Sequence, residues 1–199
     1  YCVLQVRLNN SVNIIKETLN KKLLGEIRGI SFVQRWQRPY EYFSGWRNSA
    51  KIGGGTLYEV GIHYLDIVQL LFGMPKIIAT KTYKTKHKNS NIEDTVYSLL
   101  DFGDFGGTAE ITVSAEPKNL ECSIQILGSN GYLKIGGKAL NVIETYNFLS
   151  NGSQVKFEQI LENFTEKNDE FNNYGSYLGS CPNHKAVYSN IENFKIKES

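Results

Sequence analysis

The sequence predicts an α+β fold, an open and mostly antiparallel sheet with helices on one face. Three observations carry that prediction. Residues 56–71 repeat apolar side chains at helical intervals, residues 76–148 change to short strand-like runs, and glycines punctuate the ends of those runs. Strands joined by short links pair antiparallel, because parallel neighbours need crossovers of a dozen residues or more.

The chain opens on Tyr1-Cys2-Val3-Leu4-Gln5-Val6-Arg7, which reads as a strand already under way and without an initiator Met, so a fragment or trimmed chain is expected. Ser11 then caps an expected helix to about residue 22, with Val12, Ile15 and Leu19 on one side. Residues 30–36 form a β-rich run, and residues 38–48 an aromatic, arginine-bearing loop that leads into Gly53-Gly54-Gly55. The helix over 56–71 stops at Phe72-Gly73-Met74-Pro75, where Gly permits the turn and Pro prevents resumption. Strands are expected over 76–83, 95–102, 107–114, 120–127 and 131–135, with weaker extensions over 142–148 and 154–157. A last helix begins at Ser180-Cys181-Pro182 and turns Val187, Ile191 and Phe194 inward. A sheet with helices on one face leaves the other to be covered, which makes it a natural dimer surface.

With 199 residues, 41% of them hydrophobic, the chain can bury a core without disulfides. Lys and Arg number 22 against 20 Asp and Glu, a balance that argues against nucleic acid as a partner. The lysines between Lys81 and Lys88 read as a polar strand edge and loop, where they oppose edge-to-edge aggregation. Cys2, Cys122 and Cys181 lie far apart with no Cys-x-x-Cys pair, which points to a reduced, cytoplasmic setting. No apolar run approaches the roughly 20 residues of a membrane helix. Metal is not expected either, since Cys181 and His184 form only one close pair.

The richest segment is Gly53-Gly54-Gly55 through Asp66. Glu59, His63 and Asp66 stand at i, i+4 and i+7 and share a helix face, while Leu57, Val60, Tyr64, Ile67 and Leu71 gather on another. A solvated stripe is the ordinary reading of such a face. Against it, Ile62 and Leu70 flank the stripe, and the glycines open the helix entrance to a ligand or to another stretch of backbone. Neither Gly-x-Gly-x-x-Gly, a Walker sequence nor Gly-x-Ser-x-Gly occurs.

Gly53-Gly54-Gly55-Thr56-Leu57 through Gly61-Ile62-His63, with Asp66 and Leu71-Phe72-Gly73-Met74-Pro75, resembles the signature helix of the Gfo/Idh/MocA oxidoreductases. Glu93-Asp94-Thr95, the turn from Phe102 to Gly107, and the stretch from Ile126 to Leu133 extend the likeness. It runs over about residues 1–194 and matches only the family's second domain. The resemblance therefore implies a single C-terminal substrate-binding and oligomerisation domain over 1–199, with the N-terminal Rossmann domain absent. NAD or NADP would be bound by that missing domain, and no cofactor is expected in this chain alone. Residues 35–46 and 179–185 look most like WlbA-type UDP-N-acetylglucosaminuronate 3-dehydrogenases, which serve the synthesis of surface polysaccharide such as lipopolysaccharide.

The resemblance also implies roles. His63 matches the catalytic acid/base, and Glu59 stands where many members carry Asp, to orient His63 or touch a sugar hydroxyl. Arg7, Arg35, Trp46 and His184 match positions near the substrate, with Arg35 the preferred anion contact because its planar fork suits carboxylates and diphosphates. Asp66 is expected to make a structural hydrogen bond. The family's Glu-Lys-Pro motif, whose lysine is the usual second catalytic group, lies in the other half. The implied activity is NAD(P)-dependent oxidation of a secondary hydroxyl on a sugar or sugar nucleotide by the intact protein, the 199-residue chain alone being inactive. A homodimer or homotetramer through the open sheet is implied, with no nucleic acid or membrane partner. The rival reading is a non-catalytic dimerisation or ligand-binding scaffold.

Overall fold

The computed structural model describes residues 4–165, 183, 184 and 187–189. Seven strands form one sheet: β1 (Ile27–Arg35), β2 (Lys76–Tyr83), β3 (Thr95–Asp101), β4 (Gly106–Thr112), β5 (Glu121–Gly128), β6 (Gly131–Gly136) and β7 (Val142–Phe148). The helices α1 (Asn10–Asn20), α2 (Ile62–Phe72) and α3 (Asn151–Thr165) complete the α+β architecture.

The strand order is β2-β3-β4-β1-β5-β6-β7, so the expected meander is split by the earliest strand. β1 pairs parallel to β4, with Arg35 opposite Thr112, and antiparallel to β5, with Arg35 opposite Glu121. That insertion has a physical cause. Ile30, Phe32 and Gln34 are buried in alternation along β1, and a strand with such a face gains most where it has neighbours on both sides. Ile111, Ile124, Ile126, Leu133 and Ile135 line the same face, and Ile15, Ile67 and Phe157 pack onto it from the three helices.

Two expectations are corrected. In place of an opening strand, Gln5–Leu8 form a 3-10 turn that leads into α1, with Val6 driven into the core. The strand expected over 154–157 lies inside α3, because Phe157 and Ile160 keep helical spacing and are both buried. The last helix falls mostly outside the described residues. Within them, the Val187 N–H donates to Asn183 O at 3.2 Å, and Asn183 Nδ2 donates to Asn9 Oδ1 at 3.0 Å, which fixes this turn at the start of α1. Cys2 and Cys181 also lie outside the described residues, whereas Cys122 is a buried free thiol whose pKa burial pushes well up.

Candidate active site

The segment entering α2 is not regular helix. Thr56–Gly61 form a π-helical turn, a geometry frequent at functional sites, and Ile62–Phe72 continue as α-helix. Val60, Tyr64 and Ile67 point into the core as their spacing demands. Gly61 is needed for close packing there, since a Cβ would lie 3.0 Å from Ile111 Cδ1. Gly54 answers which partner the glycines admit. A Cβ at that position would sit 2.4 Å from Arg47 O, so it is the backbone of the aromatic loop that crosses the helix entrance.

The polar face is divided among three sets of partners. Glu59 accepts a hydrogen bond from Tyr42 Oη at 2.8 Å and an ion pair from Arg47 Nε at 2.5 Å. Asp66, only 6% exposed, accepts from Arg7 Nε at 2.6 Å and Nη2 at 2.5 Å, the structural bond expected of it. Between them His63 is half-buried, and its Nδ1 is buried without a hydrogen-bond partner among the described residues.

The surroundings hold the His63 imidazole below its usual pKa. Burial does most of this, and the charge of His184 adds to it; Asp66 opposes both. His184, exposed itself, thus lies near enough for its charge to act on His63, and the Asn183–Asn9 contact holds the residue before it at the start of α1. A neutral imidazole at neutral pH is a proton acceptor.

The aromatic loop forms a second wall. Arg38 lies over the rings of Trp36 and Tyr42, at 4.8 and 5.4 Å from their centroids, and Arg47 over Tyr42 and Trp46, at 5.1 and 5.0 Å. Burial, then the hydrogen bond to the Glu59 carboxylate, pushes the Tyr42 phenol up to about 12, so it remains a donor. Trp36 meets Tyr64 edge to face at 5.6 Å and so joins this wall to α2. Behind it, buried Asp94 accepts backbone N–H bonds from Thr85, Lys86 and His87, and His87 Nε2 reaches Pro39 O at 3.0 Å.

The structure thus gathers His63, Glu59, Arg7 and His184 around one helix entrance, with Trp46 half-exposed on the loop beside them. Arg35 is not brought there. In β1 it alternates with buried Gln34 and projects from the opposite face of the sheet, where Glu110 and Glu121 occupy its guanidinium at 2.6–2.7 Å. Tyr42, Arg47 and Arg38 are the site residues the sequence reading passed over. Their signal was the alternation of aromatic and arginine residues from Trp36 to Arg47.

The chain belongs to the GFO/IDH/MocA C-terminal domain family, matched over residues 12–134. Its fold superposes on the WlbA dehydrogenase of Bordetella pertussis, solved with NADH and UDP-GlcNAcA, with a TM-score of 0.80 and 26% identity over 99% of this chain and 54% of that one. The WlbA dehydrogenase of Chromobacterium violaceum, solved with the same two ligands, gives a TM-score of 0.71 at 29% identity, covering 79% and 47%. Scyllo-inositol 2-dehydrogenase (NADP(+)) IolW of Bacillus subtilis is 31% identical over 97 residues, 49% of this chain and 26% of the relative. The chain spans about half the length of these solved structures and about a quarter of the curated relative.

Proposed function

We propose that this chain is the substrate half of an NAD(P)-dependent dehydrogenase that oxidises a secondary hydroxyl of a sugar nucleotide, a UDP-N-acetylhexosaminuronate fitting best. The observation that carries the reading is His63. It is a half-buried imidazole, held neutral at neutral pH, whose Nδ1 has no hydrogen-bond partner among the described residues and which stands between two carboxylates that carry ion pairs of their own. Similarity to two dehydrogenases solved with UDP-GlcNAcA supports the substrate class.

A nicotinamide dinucleotide, held by the other half of the intact protein, supplies the hydride acceptor. The residues of this chain do the rest. His63 takes the proton of the substrate hydroxyl as the carbon beneath is oxidised, which its lowered pKa suits. Glu59, tied down through Oε1 by Arg47 and Tyr42, fixes the loop beside the helix entrance, and its Oε2 is buried without a hydrogen-bond partner among the described residues. His184 and Arg7 border the opening.

The open face of the sheet supports self-association into a dimer or tetramer. Tyr97, Leu99, Leu127 and Tyr132 stand 46%, 47%, 54% and 43% exposed there. In the intact protein, Leu127→Lys is expected to lower the assembly size in sedimentation without unfolding the chain.

The decisive experiment is His63→Ala and His63→Asn in the intact protein. Turnover is expected to fall by roughly 100- to 10,000-fold with sedimentation unchanged. Lost assembly with normal turnover per folded chain would support the scaffold reading instead. In the wild type, the acidic limb of kcat/KM is expected to titrate below the ordinary histidine value of 6.5.

A further inference from the structure

Of the five arginines in the chain, three place their guanidinium on carboxylates: Arg7 on Asp66, Arg35 on Glu110 and Glu121, and Arg47 on Glu59. Arg28 is exposed to solvent. Arg38 fits neither pattern. It is only 7% exposed, the most buried of the five, and it has no carboxylate partner among the described residues. Its Nη1 donates to Gln37 O at 2.8 Å and the guanidinium also hydrogen-bonds the Tyr42 phenol oxygen, two neutral partners that leave part of a five-donor fork unused.

The rings of Trp36 and Tyr42 hold this fork in orientation. Ring faces attract the charge but offer no lone pairs to N–H groups. A largely desolvated cation without a counter-charge is costly, and an incoming anion that supplies paired oxygens recovers that cost. The position is equally specific. Tyr42 donates to Glu59, four residues before His63, and Trp36 touches Tyr64, the residue after it. Lys86, whose Nζ donates to Arg38 O at 2.7 Å, adds a second positive charge beside the loop, itself paired with Glu116.

We infer that Arg38 is the anion-recognition residue of this site, receiving two oxygens of a substrate carboxylate or diphosphate while Trp36 and Tyr42 set the plane of its guanidinium. The inference rests on reading the His63 cleft as a sugar site. It moves to Arg38 the role that resemblance and guanidinium chemistry suggested for Arg35, three residues earlier on the other face of the sheet.

Isothermal titration of the full-length protein with glucuronate, with uridine diphosphate and with glucose tests it, and needs no turnover. Arg38→Gln is expected to weaken one anion by roughly 10- to 100-fold and leave glucose unchanged. Loss confined to glucuronate identifies a carboxylate as the occupant, and loss confined to uridine diphosphate identifies the phosphates. Arg38→Lys keeps the charge and the stem between the rings but loses the fork, so it is expected to recover only part of the affinity and it decides the matter if Arg38→Gln fails to fold. Equal affinity of wild type and folded variants for both anions overturns the inference, as does failure of the wild type to bind either anion. Absence of NAD(P)H formation would sink the dehydrogenase reading while leaving this titration to be read on its own.

Discussion

The two faces of the sheet are built from the same strands and do opposite things. On the covered face, Phe32 stacks on Tyr64 at 6.1 Å, and Ile30, Ile111, Ile124 and Leu133 are buried around it. Three residues beyond Phe32 along β1, on the open face, Arg35 belongs to a row of alternating charge. It pairs with Glu110 on one side and Glu121 on the other, Lys134 lies 3.8 Å from Glu121, and Glu144 lies 2.7 Å from Lys134. The row crosses β4, β1, β5, β6 and β7. Its members hold one another charged: the hydrogen bond to Glu110 raises the Arg35 pKa most, and the one to Glu144 raises that of Lys134. The difference teaches that a single strand can serve a dry core and a polar surface at once, because side chains alternate with a period of two. It also separates two arginines that the sequence sets close together. Arg35 is spent on the open face, while Arg38, beyond the end of β1, is buried against the rings of Trp36 and Tyr42.

The largest expected effect compares neighbours. Phe32→Ala should cost about 3–5 kcal/mol in chemical denaturation. Val33→Ala, on the open face, should cost less than half as much in the isolated chain; equal losses would mean that both faces are core. Next is Asp94, a polar group enclosed as fully as any on the covered face. Burial raises its pKa, but backbone donors from Thr85 and His87 and the hydroxyls of Thr95 and Thr85 outweigh that and hold it at about 2, below the ordinary 3.8. The stability it contributes is therefore complete above pH 3.8 and drains away as the pH falls through about 2. Asp94→Asn should cost on the order of 2 kcal/mol at pH 7 and flatten the acid limb of an unfolding profile.

Smaller still is Arg35→Met. The charge row is partly exposed, so its loss should cost about 1 kcal/mol or less, with little remaining dependence on salt. A loss as large as that of Phe32→Ala would erase the distinction between the faces. The finest test returns to the cleft. His184→Ala should raise the pKa of His63 by removing a like charge, and Asp66→Asn should lower it, both read by NMR titration of the imidazole. No change in either variant would break the link between the last described turn and α2.

Much of the fold was legible. Period-two runs flanked by glycines located all six strands that follow β1, and the spacing of Val60, Tyr64 and Ile67 fixed the inward side of α2. Where the reading failed, local pattern and tertiary context disagreed. Residues 154–157 are too short a window to separate strand from helix, and only the burial of both Phe157 and Ile160 discloses the period. The parallel seating of β1 beside β4 joins residues more than seventy positions apart, and no local signal carries it. At the site, the helical spacing of Glu59, His63 and Asp66 was readable, but their partners were not. Arg47 and Arg7 come from the loop and the 3-10 turn, and each captures one carboxylate.

The sequence by itself determined the α+β class, the inward face of α2 and the presence of a histidine between two carboxylates one turn away on either side. Those properties follow from periodicity and residue type within a few turns of chain. Tertiary structure alone decided that Arg35 meets carboxylates while Arg38 meets aromatic rings, that the backbone of Arg47 crosses at Gly54, and that His63 Nδ1 has no hydrogen-bond partner among the described residues. The reason is that partner choice for a charged or polar group depends on which distant elements arrive within about 3 Å, the reach of a hydrogen bond, and that is set by packing the whole sheet.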